Sequence, residues 1–293
     1  MEHLCKTFNV SERRACRVLN QPRATQRLET RERPLEKKLV QRMLELVGEH
    51  PRFGYRRIWA LLRAEGWRIN RKRVYRLWRQ QGLKVPRRRK KQRRLGHREN
   101  GCVRRQALAR NHVWAWDFIH DRTADGRPLK WLTVVDEYTR ECVALEVARS
   151  MTARRVTQIL AEKIRERGPP VHVRSDNGPE FIAAEIRRWM AEARMDALYI
   201  EPGSPWENGY AESFKKKVRD ELLNQEEFTS PLEARVLSAA WKQDYNERRP
   251  HSSLGYQTPA EFARSCPEAR TLGLVPAKEK DPLEGGKADG SEE

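Results

Sequence analysis

Two different hydrophobic periods divide the chain near residue 112. Upstream, apolar side chains recur at helical intervals. The stretch PLEKKLVQRMLELVGEH places Leu39, Val40, Met43, Leu44 and Leu46 on one stripe, with Pro34 at its start and Pro51 beyond its end, which predicts a bounded amphipathic helix. In YRRIWALLRAEG, Ile58, Leu61 and Leu62 share a face and Gly66 marks the stop. The turn WRIN, with Asn70 as N-cap, leads into RKRVYRLWRQQG, where Val74, Leu77 and Trp78 follow the i, i+3, i+4 spacing. Two helices joined by a short Gly-containing turn, the second of them strongly basic, fit a helix-turn-helix over 34–94. Its outward Arg71, Arg73, Tyr75, Arg76 and Arg79 are then the residues expected to face DNA. The competing arrangement is a helical hairpin that only packs on the rest of the protein. Residues 1–33 hold a further helical stretch, SERRACRVLNQP, to which the sequence attaches no function.

Downstream the period shortens to that of strands. VWAWDFIH (113–120), WLTVVD (131–136) and CVALEV (142–147) are rich in β-branched and aromatic residues, and the turn residues ADGRP separate the first two. Then helical and strand patterns alternate: MTARRVTQILAEKIRERG as a helix ending at Gly168, VHVRSD as a strand, AAEIRRWMAEAR as a helix, MDALYIEP as a fifth strand. A last helix is predicted from near Asn208 through AESFKKKVRDELL. Hairpin strands followed by alternating helices and strands predict an α/β unit over 113–263, a mixed five-stranded sheet flanked by helices. The polar, basic stretch 95–112 reads as a linker, and 264–293 has the composition of a disordered tail.

Charge sharpens this division. The net charge is +19, yet residues 1–110 hold 33 Lys and Arg against 9 Asp and Glu, so the entire basic excess lies before the strands. Within 71–94, thirteen of twenty-four residues are basic and none is acidic, a block that repels itself unless it meets a polyanion. Nucleic acid is the expected partner; a localisation address or a solvated linker face is the alternative. A mean hydropathy of −0.90 and the lack of a long apolar run argue against a membrane span. The first residues, MEHLCKTFNV, carry no secretory signal, so the expected location is the cytoplasm. The five cysteines are widely spaced without a C-x-x-C pair, which argues against a disulfide framework or a zinc site.

Three carboxylates stand where folding alone does not explain them. Asp117 interrupts the apolar strand VWAWDFI, where an ionised group costs several kcal/mol or more unless it is paired or metal-bound. Asp176 closes the strand VHVRSD just before the turn residues Asn177 and Gly178, and Glu212 lies in the final helix. Together the three suit a pair of divalent cations and phosphoryl transfer on nucleic acid. Asp121, Asp136, Glu180 and Glu207 lie nearby, but surface charge is the ordinary role of such residues. His112, His120 and His172 are set aside because Mg²⁺ does not favour imidazole. Lys215 and Lys216, three and four residues after Glu212, share its helix face; they either hold the substrate strand or form an ordinary charged surface.

The segments VWAWDFIHD, VRSDNGPEF and SPWENGYAESFKKKVRDELL, with 35 residues between Asp176 and Glu212, resemble the three catalytic motifs of the DDE transposase and retroviral integrase superfamily. With YNERRPHSSLGYQTPAEF (245–262) and GYRRIWALLRAEG upstream, the chain is similar to the second-frame (OrfB) proteins of bacterial insertion sequences from about residue 34 to 263. The N-terminal His/Cys zinc constellation of retroviral integrases has no counterpart here. The resemblance implies a ribonuclease H-like core in which Asp117, Asp176 and Glu212 bind two Mg²⁺ ions, with Mn²⁺ able to substitute. It further implies nicking at an element end, joining through the freed 3′-hydroxyl and insertion of the excised circle into target DNA. Implied partners are the element ends and target DNA, an upstream-frame protein or frameshift fusion, and further copies of the chain on DNA. Two rivals remain open: a DNA-binding regulator of transposition without catalysis, and a nuclease that hydrolyses without strand transfer.

Overall fold

A computed structural model describes residues 2–27, 34–85, 106–175, 184–199 and 209–275. The chain divides into two compact units, Met1–Pro51 and Arg52–Glu293. The first is helical: α1 (Glu2–Phe8), α2 (Glu12–Val18), α3 (Arg23–Gln26) and α4 (Pro34–Glu49). The α2 start is capped by the Ser11 side chain, and Glu12 draws Arg27 to 2.9 Å, tying the end of α3 to the start of α2. On α4 the predicted stripe is narrower than expected. Leu39, Met43 and Leu46 are buried, whereas Leu44 is exposed.

The second unit begins with α5 (Tyr55–Ala64) and α6 (Arg71–Gln80). Asn70 caps α6 by accepting the Lys72 amide at 2.8 Å, as its position before the basic run predicts. Ile58, Leu61 and Leu62 of α5 and Val74, Leu77 and Trp78 of α6 are buried, and the Trp59 indole donates to the Ile69 carbonyl across the turn.

Five strands then form one sheet: β1 (Val113–Arg122), β2 (Pro128–Asp136), β3 (Cys142–Ala148), β4 (His172–Ser175) and β5 (Asp196–Tyr199), in the order β3-β2-β1-β4-β5. The first three are antiparallel neighbours; β4 joins β1 in parallel, and β5 joins β4 in parallel. The parallel pairs require crossovers, supplied by α7 (Ala153–Arg167), which Thr152 caps and Gly168 ends at φ +82°, and α8 (Ala184–Glu192). Beyond the sheet come α9 (Gly209–Val218), a π-helical turn Arg219–Leu223, α10 (Pro231–Glu247) and α11 (Pro259–Arg264). The fold is the expected mixed sheet with helices on both faces. Among the described residues, no helix is long and apolar enough to cross a membrane.

Strand alternation sorts the core into two layers. Trp114, Trp116 and Phe118 of β1 pack with Val156, Ile159 and Leu160 of α7 and Ile186 and Met190 of α8. Ala115 and Ile119 point the other way, toward Ala211, Phe214 and Val218 of α9 and Ala234 and Tyr245 of α10. Period two therefore places Asp117 on the α9 side of the sheet.

Two boundaries need correction. The expected linker 95–112 ends early, because Ala107, Ala109, Asn111 and His112 are buried. The expected tail from 264 is ordered as far as Val275: the Arg110 amide donates to the Pro267 carbonyl, the Ala269 amide donates to the Arg110 carbonyl, and Ala269 packs on Ala109 and Val171. Each segment alone has too little apolar content to announce itself, and pairing supplies the missing partner.

Candidate active site

Asp117 sits in the middle of β1 opposite Thr133, whose hydroxyl donates to the Asp117 carbonyl at 2.8 Å. The residue is 8% exposed. Its carboxylate meets the Lys215 ammonium, with Nζ 3.1 Å from Oδ2 and 3.3 Å from Oδ1. Lys215 reaches it because Ala211, Phe214 and Val218, spaced i, i+3, i+7, seat α9 against the sheet. That seating sets Glu212, Lys215 and Lys216 along one flank of the helix, with Lys215 nearest the sheet. Glu212 pairs with Lys216 at 3.1 Å, one turn on.

The structure thus links Asp117 to the helix of Glu212. Asp176 follows directly after the end of β4 and lies outside the described residues, as do Glu180, Glu207, Trp206 and Asn208. Among the described residues, no group of three metal-binding side chains is assembled. Other acids have structural duties. Asp136 is fully buried at the end of β2, where it accepts the amides of Asn111, Tyr138 and Thr139 at 2.8 to 3.0 Å. Burial raises its pKa, and those three amides pull it back. His112 accepts the Leu108 amide, and His172 lies 3.8 Å from Asp196.

On α6, Arg71, Tyr75, Arg76 and Arg79 are exposed as the helical period predicts, but Arg73 is half-buried. It precedes the buried Val74 and stands at the edge of the stripe rather than on the outward face.

Sequence reasoning passed over a second charged centre. Glu221, within the π-helical turn that extends α9, accepts both Nε and Nη2 of Arg249 at 2.6 Å and Arg57 of α5 at 3.1 Å. Arg52 adds a contact to Asp220 at 3.6 Å. Burial alone drives the Glu221 pKa up, but Arg249 and Arg57 outweigh it and hold the carboxyl below its ordinary range. Arg249 is itself 2% exposed, an unusual place for a guanidinium. The signal was the segment RRPHSS, where two arginines precede a proline, but its i to i−28 partner cannot be read from the chain.

Integrase core domain families match residues 107–205 and 193–259, and an HTH-like domain family matches 34–91. The chain is 42% identical over 263 residues to the "Insertion element IS407 uncharacterized 31.7 kDa protein" of Burkholderia multivorans, covering 90% of this chain and 94% of that one. It is 29% identical over 243 residues to the transposase InsD for insertion element IS2 of Escherichia coli, covering 76% and 77% of the two chains. Among solved structures, the catalytic core domain of HTLV-2 integrase in complex with magnesium aligns with a TM-score of 0.46 at 18% identity, over 54% of this chain and 99% of that one. The chain belongs to the bacterial insertion-element transposases built on an integrase core domain, enzymes of the DDE type.

Proposed function

We propose that this transposase cleaves and joins DNA strands through Asp117, Asp176 and Glu212, by in-line attack of water or a 3′-hydroxyl on a phosphodiester. The observation that carries the reading is the pairing of buried Asp117 with Lys215, on the helix face that also holds Glu212. A carboxylate in the middle of an apolar strand is expensive. Here a partly exposed lysine neutralises it, on the helix that carries a second carboxylate likewise paired with lysine. Hard oxygen donors held by flexible monovalent partners fit Mg²⁺, or Mn²⁺ in its place, and Asp117, Asp176 and Glu212 would hold two such ions. Bound there, the metal supplies activation of the attacking oxygen and stabilisation of the leaving 3′-oxygen.

The rest is done by the chain's own groups. Lys215 and Lys216, on the flank of α9 that carries Glu212, would take up phosphates of the strand being cut. Exposed Arg71, Arg76 and Arg79 of α6 hold element-end or target DNA. The working assembly is a homo-oligomer on DNA, formed by this chain or by its fusion to an upstream-frame product.

Supercoiled plasmid carrying the inverted repeats that flank the gene, incubated with Mg²⁺, tests the proposal. Wild type should give nicked and joined products, and Asp117→Asn, Asp176→Asn and Glu212→Gln should each lower the yield by at least about 10²-fold while leaving plasmid binding intact. Nicks without joined products would make the protein a nuclease. If neither this chain nor its fusion to the upstream frame cut DNA that it bound, the catalytic reading would fail in favour of a regulator.

A further inference from the structure

The helix that carries Glu212 has a second polar face. Tyr210, Ser213 and Lys217 follow at intervals of three and four, rotated away from Glu212, Lys215 and Lys216. They border a cleft of about 320 Å³ whose walls include Arg57 of α5, Arg140 from the turn after β2, and Arg249 and His251. Several permanent or potential cations thus look into one space. The carboxylate beside them is Glu221, and both its oxygens are taken by Arg249 and Arg57.

Arg140 and Lys217 are left over. The Arg140 guanidinium lies 3.7 Å above the Tyr210 ring and donates to the Glu137 carbonyl; the Lys217 ammonium donates to the Ser213 hydroxyl at 3.2 Å. Among the described residues, neither has a carboxylate within ion-pair distance. His251 does not add a charge. Burial, then Arg249 at 3.1 Å, push its pKa down to about 2, so it faces the cleft as a neutral ring. Burial and the surrounding arginines likewise push Lys217 down to about 7, against the opposing pull of Glu221. Positive charge gathered on partly desolvated groups costs stability unless an anion completes it.

The donors specify which anion. Arg140 offers a planar fork and Lys217 a point charge, and the hydroxyls of Ser213, Ser252 and Ser253 stand at the rim. This mixture suits a tetrahedral oxyanion with several acceptor oxygens, and the volume leaves room for what is attached to it. We infer that this cleft is a phosphate-binding site, separate from the carboxylate centre on the other face of α9, and that Lys217 and Arg140 are its principal ligands. The phosphate comes either from a DNA strand that wraps α9 or from a free phosphate compound. The site stands independently of the metal-dependent chemistry proposed above.

Thermal unfolding of the full chain at fixed ionic strength tests this, with chloride as the reference salt and inorganic phosphate or a ten-nucleotide single strand as probe. Phosphate should raise Tm in wild type and in Asp117→Asn alike, so a failure of the catalytic reading leaves this result untouched. Lys217→Gln and Arg140→Gln should each weaken the apparent phosphate affinity at least ten-fold. Without probe, Lys217→Gln should unfold no earlier than wild type, because it removes an uncompensated charge; a residue of purely structural use would lower Tm instead. Ser252→Asp, at the exposed rim, supplies a second variant: its carboxylate should occupy the cationic space and block the shift. A larger loss with the oligonucleotide than with inorganic phosphate identifies the DNA strand as the source, and the reverse identifies a free phosphate. No shift in wild type with either probe, or equal shifts in wild type and the Lys217 and Arg140 variants, overturns the inference.

Discussion

At the scale of single residues, the ion pair between Asp117 and Lys215 is what makes a carboxylate tolerable inside an apolar strand. Lys215 is about a third exposed and Asp117 is not, so the pair is neither a free surface bridge nor a sealed interior one. Lys215→Met removes the cation that meets the buried carboxylate, and we expect a loss of about 1–3 kcal/mol in urea unfolding without divalent ions. Adding Mg²⁺ should return most of that loss, whereas Asp117→Asn should abolish the response. Were Mg²⁺ to leave the stability of Lys215→Met unchanged, Asp117 would not be a cation ligand.

Lys217 gives a pH dependence with a definite sign. Its folded pKa, about 7, lies below its ordinary 10.5. Below pH 7 it is charged in both states, and the cost of burying it beside Arg249, Arg140 and Arg57 is fully present. Between 7 and 10.5 the unfolded chain binds more protons than the folded one, so this group makes stability rise with pH across that window. His251, held neutral down to about 2, acts in the same direction lower down and makes stability fall as pH drops below its ordinary 6.5. Denaturation curves from about pH 7 to 10 should therefore climb less in Lys217→Gln than in wild type. Parallel curves would mean that Lys217 is solvated.

At the scale of elements, the contact that holds α9 is the one least visible in the chain. Glu221 joins Arg249 through two short bonds and Arg57 through a third, linking the π-helical turn to α5 and to the segment after α10. Glu221→Gln strands two guanidinium groups, one of them 2% exposed, and should cost about 3–5 kcal/mol in denaturant unfolding. A loss below about 1 kcal/mol would mean that the arginines find water or other partners. The strands and α5, α6, α7 and α8 were legible because apolar period alone determines them: Trp114, Trp116 and Phe118 alternate, and Val74, Leu77 and Trp78 recur at helical spacing. The α10 helix (Pro231–Glu247) was not, because its fully buried positions are only Ala234, Ser238 and Tyr245, too few to mark an apolar stripe on a mostly polar surface. The ordered ends at 106–112 and 264–275 were missed because each is stabilised by the other across more than 150 residues. Asp117 betrayed itself as a charge in an apolar strand. Glu221 and Arg249 sit in charged surroundings where neither looks misplaced, and only their pairing in the fold reveals them.

At the scale of the whole molecule, the basic excess before residue 110 and the slightly acidic remainder give DNA binding a strong dependence on salt. Each phosphate neutralised by an arginine releases counterion, so removing one such arginine makes the slope of log K against log salt shallower by about 0.9. Exposure on α6 sorts its arginines for this purpose. Arg71, Arg76 and Arg79 stand in solvent, while Arg73 lies half-buried beside Val74. Replacing any of the first three with Ala should weaken binding to all sequences and reduce the slope by about one, with little change in Tm. Arg73→Ala should instead lower Tm, because its stem is packed, and leave the slope closer to wild type. Fluorescence anisotropy on a labelled duplex over a series of salt concentrations measures the slope, and thermal unfolding of the same variants measures the packing. If Arg73→Ala changed the slope as much as Arg76→Ala while Tm held, α6 would present a different face to DNA from the one its buried stripe defines.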